Sequence, residues 1–137
     1  MNTTYFLNLV AGNVFGSKKT PGLPNTYYVG LSKTPANVDG SGVTEPSASH
    51  GYARTAVNGS ELSVPSNGVV VNTSAINFNE STADWGVIQY YVIYDAQTGG
   101  NLLMYGSLSA QRQVEAGTVM TIKEGSLRLS AVNTAAT

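Results

Sequence analysis

Apolar residues fall at three- and four-residue spacing at Phe6, Leu9, Val10 and Val14 near the start of the chain. That spacing predicts a short helix over residues 3–15, capped by Thr3 or Thr4 and closed by Gly16. Gly12 and Asn13 weaken its propensity, so packing must hold it, and the Phe6, Leu9, Val10 and Val14 face is expected to lie on a sheet or a neighbouring subunit. Lys18, Lys19, Pro21, Gly22 and Pro24 then make residues 17–25 an irregular connector.

From there the periodicity changes to that of strands. Residues 26–32, rich in Tyr and Val, read as the first strand, and residues 52–58, 69–71 and 75–78 as three more. Residues 87–94 give the strongest signal. Ile88, Tyr90, Val92 and Tyr94 alternate with Val87, Tyr91 and Ile93, so both faces should be covered and the strand should be central in its sheet. Strands follow at 102–108, 118–123 and 126–130, separated by the turn-forming groups Asp95-Ala96-Gln97-Thr98-Gly99-Gly100, Glu115-Ala116-Gly117 and Glu124-Gly125. One helix and seven to eight strands predict a mainly β fold, an antiparallel β-sandwich or a small barrel. The expected organisation is a single domain over residues 1–137, with a β domain at 26–130 and a loose tail at 131–137.

Composition narrows the function. Charged residues are 11 % of the chain and its net charge is −1, which leaves no basic footprint for nucleic acid. There is no cysteine, hence no disulfide and no thiolate metal cluster. The apolar run at 87–94 is far short of the ~20 residues that cross a bilayer, so no membrane insertion is expected. Residues 1–15 lack the basic start and cleavage site of a secretion signal, which implies synthesis in the cytoplasm.

Candidate chemistry is sparse. His50, in Ser47-Ala48-Ser49-His50-Gly51, is the one histidine, without a nucleophile elbow or an ordered third member, and it reads as a loop residue. Glu45, Glu61, Glu80, Asp84 and Asp95 offer carboxylates, but no spacing selects a catalytic pair. Asn37-Val38-Asp39-Gly40-Ser41-Gly42 resembles the start of a calcium loop; its twelfth position is Ala48, so only a looser calcium site using Asp39 and Glu45 stays open. No cofactor, resident metal or enzymatic activity is expected. The polar excursion at 33–51 reads as an assembly or anchoring arm, with Arg54 pairing Glu45 or Asp95 to pin it. Trp85, ahead of the central strand, is expected to be buried; the alternative makes it and its neighbouring tyrosines a carbohydrate-binding surface.

Ordered short motifs add a resemblance: Tyr28-Val29-Gly30-Leu31-Ser32, Gly42-Val43-Thr44-Glu45-Pro46, Gly51-Tyr52-Ala53-Arg54, Asn72-Thr73-Ser74-Ala75-Ile76-Asn77-Phe78, Asp84-Trp85-Gly86, the 95–103 turn and Tyr105-Gly106. The series resembles small virion structural proteins of tailed bacteriophages and prophages, labelled tail fibre or minor tail proteins. The resemblance implies a non-enzymatic virion component, tail-associated or decorating the capsid. Its partners would be other virion proteins, copies of itself and, as the second reading, a host-surface glycan. Phe6, Leu9, Val10, Val14, Glu45, Arg54 and Trp85 are the interface or anchor candidates.

Overall fold

In a computed structural model, residues 1–16 and 21–130 are described. Part of the expected connector and the whole of the expected tail at 131–137 lie outside the described residues.

The predicted helix forms as α1, Thr4–Val14, with the Thr3 hydroxyl accepting from Phe6 N–H at 3.2 Å. The same hydroxyl donates to the Leu102 carbonyl at 2.7 Å, so the cap also fastens the helix to the sheet. Phe6 and Leu9 are buried and Val10 is half-buried against the core, as the spacing required. Val14 departs from that face. It is 68 % exposed, because the helix runs off the body before its last turn.

Eight strands follow: β1 Thr26–Ser32, β2 Thr55–Asn58, β3 Val69–Val71, β4 Ile76–Asn77, β5 Gly86–Tyr94, β6 Leu102–Val114, β7 Thr121–Ile122 and β8 Arg128–Ser130. Four make an antiparallel sheet in the order β2-β1-β5-β6, while β3 with β8 and β4 with β7 form two-stranded antiparallel ladders. The fold is mainly β as predicted, and of the two architectures expected the barrel is excluded, because the sheet ends at β2 and β6 without closing. β5 is central, between β1 and β6.

Two details overturn the simple alternation read for residues 87–94 and 102–108. Between Ile88 and Tyr90 the partner on β6 jumps from Arg112 to Ser107, an irregularity that shifts the faces. Ile88 therefore packs in the same cluster as Tyr91 and Ile93, not with Val92 and Tyr94. A second irregularity sets Leu102 against Tyr94 and Met104 against Ile93, and Leu103 and Met104 both enter the larger core. β6 also runs on to Val114, six residues beyond the apolar stretch that marked it, because its far half is held by pairing with β5 rather than by its own side chains. Conversely, residues 52–54 and 118–120 lie outside the named strands.

The sheet has two unlike covers. On one face Leu31, Val57, Ile93 and Leu103 meet Phe6, Leu9, Phe78, Trp85, Ile122 and Leu127 in the larger core. On the other, Val92, Tyr94 and Leu102 meet Ala36 and Val43 from the 33–51 excursion. That excursion is stitched to the body through Lys33 N–H to the Thr44 carbonyl, Thr44 N–H to the Ser32 hydroxyl and Thr4 N–H to the Val38 carbonyl, each at 2.9–3.0 Å.

Candidate functional site

The most elaborate polar cluster joins the 33–51 excursion to the segment before β2 and to the turn after β5. Tyr52 and Arg54, two residues apart, both bond Glu45. The Arg54 guanidinium grips Glu45 in a fork: Nη2 lies 2.8 Å from Oε1 and Nε 3.1 Å from Oε2. Its Nη1 donates to the Ala96 and Gly99 carbonyls, both at 2.8 Å, and the guanidinium carbon lies 3.6 Å above the Tyr94 ring centre. Gln97 Nε2 returns a bond to the Arg54 carbonyl at 2.7 Å. One cation thus ties down two loops at once. Asp95, the other partner considered, instead accepts from the backbone and side chain of Asn101.

Tyr52 completes the cluster. Its hydroxyl donates to Glu45 Oε2 and accepts from Leu31 N–H at 3.0 Å. The approach depends on Gly30, where an added Cβ would come within 2.5 Å of the Tyr52 hydroxyl and 2.9 Å of Glu45 Oε2. Burial, with the Glu45 charge adding to it, pushes the Tyr52 phenol well above its usual range. Burial works against the Arg54 charge, yet Glu45 outweighs it and holds the guanidinium above its ordinary pKa. Arg54 is 7 % exposed in its side chain and Glu45 21 %. Sequence reasoning found Glu45 and Arg54 but missed Tyr52; the two-residue spacing to Arg54 was the available signal.

Glu45 is bonded by Arg54 and Tyr52. Asp39 turns instead to Ser41, accepting from its N–H at 3.0 Å and its hydroxyl at 2.6 Å, and those bonds lower its pKa. No group of three His, Cys, Asp or Glu side chains placed to hold a metal occurs among the described residues.

Trp85 is 1 % exposed. Its ring meets that of Tyr52 edge-on at 5.5 Å, and Nε1 donates to the His50 carbonyl at 2.9 Å. A buried indole is not available for stacking a sugar. Gly86 after it is required for its backbone, φ +83°, rather than for a close approach, since the nearest atom to an added Cβ is 3.5 Å away. His50 serves through its carbonyl, which also accepts from Thr82 N–H, while Ser47 and Ser49 bond one another. At the end of α1, Val14 and Phe15 are exposed, Phe15 by 86 %, and Tyr5 is 41 % exposed on the same helix.

Comparison with known families identifies the chain as a phage tail fibre-type structural protein. The matching family is described as Podophage GP4 fiber I protein gp80; its model covers residues 2–130, and the chain belongs to this family. Membership agrees with the tail fibre resemblance read from the ordered motifs, and implies a place in the virion and association with other virion proteins. None of the curated proteins matches the chain. No helix among the described residues is long and apolar enough to cross a membrane.

Proposed function

We propose that the chain works without catalysis, as an assembly piece of the fibre acting through contacts with other virion proteins and with copies of itself. The observation that carries this reading is the free end of α1. The helix buries Phe6 and Leu9 in its own core yet presents Val14 and Phe15 to solvent at 68 % and 86 %. Adjacent apolar side chains left outside a satisfied core gain free energy when another surface covers them. Glu45, Arg54 and Tyr52 hold two loops, and the His50 carbonyl holds Trp85.

The test is a Val14→Ser, Phe15→Ser double variant produced in infected cells. Both side chains are exposed, so the melting midpoint of the isolated chain should stay with the parent while the number of copies in purified particles falls. Unchanged incorporation would remove the helix end from the interface.

A further inference from the structure

We propose that the open edges of β6 and β7 bound a groove that accepts an extended, acidic segment of a neighbouring virion protein as an added strand. The inference rests on the assembly reading above and names the kind of partner one surface takes.

β6 is an outer strand of the four-stranded sheet and, at 13 residues, the longest in the molecule. Along its first part the outer edge already takes a strand, the chain's own start. The Met1 amine donates to the Tyr105 carbonyl at 2.8 Å, Tyr105 N–H to the Met1 carbonyl at 3.0 Å and Thr3 N–H to the Leu103 carbonyl at 2.9 Å. From Gly106 onward no strand lies beyond it among the described residues. This bare part contains no proline and a single charge, Arg112, and a bulge at residues 108–111, which do not pair with β5, divides its edge into Gly106–Ser107 and Arg112–Val114. Among the described residues, β7 pairs with β4 on one side and with no strand on the other.

The two edges look onto the same space. Depressions of about 120 and 290 Å³ adjoin there and share Arg112, Met120, Thr121 and Lys123. Tyr91 and Leu108 supply apolar surface within the smaller one, and no Asp or Glu lines either. An extended segment suits this shape, because alternate side chains turn to opposite sides. Apolar residues would face Tyr91 and Leu108, its backbone would bond to β6, and a carboxylate would lie between Arg112 and Lys123. Main-chain bonds then supply affinity and the alternate side chains supply selectivity. The two unneutralised cations favour an acidic segment over a second β6, which would bring its own Arg112 to the groove.

The experiment uses the full chain in assembled particles, with Ser109→p-benzoylphenylalanine as a photo-crosslinking probe. The expected result is a crosslink to an Asp- or Glu-bearing segment of a different virion protein. Particles that contain the chain but give no crosslink at this position, or crosslinks only to another copy of the chain, overturn the groove and leave the assembly reading intact. Loss of the unaltered parent chain from purified particles would overturn both. A second arm uses Arg112→Glu with Lys123→Glu, at exposed positions where folding should persist and a parental melt confirms it. Incorporation should fall by about tenfold or more, the scale of breaking close charge pairs. Ala110→Pro, at a β6 residue that does not pair with β5, should act in the same direction. Normal incorporation of the charge-reversed chain would overturn the proposal.

Discussion

The two faces of the four-stranded sheet are covered by opposite means. On the α1 side, large side chains from the helix, the short ladders and the approach to β5 close a continuous apolar core around Trp85. On the other side the apolar contacts are few, and the 33–51 excursion is held by backbone bonds at its base and by the fork of Arg54 on Glu45. Burial is non-directional and spreads its contribution over many atoms, whereas the polar cover concentrates it in a few directed bonds. One face should therefore fail globally and the other locally.

Trp85→Ala tests the first face and should be the most damaging single change. It removes a fully buried ring, its edge-on contact with Tyr52 and its bond to the His50 carbonyl, at about 3–5 kcal/mol in equilibrium denaturation. A loss below about 1 kcal/mol would mean that the core closes without the indole. Arg54→Ala tests the second face. It leaves the Glu45 carboxylate without its cation, though still bonded by Tyr52, and frees two carbonyls, costing about 2–3 kcal/mol, with Glu45's partial exposure keeping the figure below that of a fully buried pair. Its signature should be regional: hydrogen exchange and proteolysis should rise over 33–51 and 95–101 while β1 and β5 stay protected. Protection lost evenly across the sheet would erase the distinction between the faces.

Tyr52→Phe sits between the two, since it keeps the ring against Trp85 and loses both hydroxyl bonds. About 1–3 kcal/mol is expected. The same variant changes the pH profile. Tyrosines of the unfolded chain release their protons near 10.0, while burial keeps Tyr52 protonated in the folded state above that value. Its contribution is therefore complete below pH 10 and lost as the pH rises further, and the variant's stability should fall less steeply in that alkaline range. His50→Ala should have the smallest effect, within about 0.5 kcal/mol, because the carbonyl that holds Trp85 belongs to the backbone.

How far the sequence carried differs between the same two faces. The central place of β5 and the burial of Trp85 were legible because unbroken apolar character on both sides of a strand has few solutions. That Arg54 would pair with Glu45 or Asp95 was legible from charge scarcity, and only the structure chose Glu45. The face assignments within β5 failed because the irregularities opposite Ile88 and Tyr94 arise from pairing with β6, and no local pattern in 87–94 encodes them. Arg54's bonds to the Ala96 and Gly99 carbonyls were equally hidden, since any residue supplies a carbonyl and only the path of the turn brings these two within reach. The end of α1 misled for a different reason: Val14 keeps helical spacing with Phe6 and Val10, but spacing cannot say how far the sheet extends beneath the helix.

The stitching of Met1 and Thr3 to Tyr105 and Leu103 also orders events in time. Residues 1–3 find their strand partner only after about a hundred further residues have been made, roughly 5–20 s later at ordinary elongation rates. Until then the apolar side of α1, with Phe6 and Leu9, has no sheet edge to rest on, and a helix of this length does not persist alone. α1 is thus made about a hundred residues before the strand that secures it, and its apolar side stays uncovered during that interval.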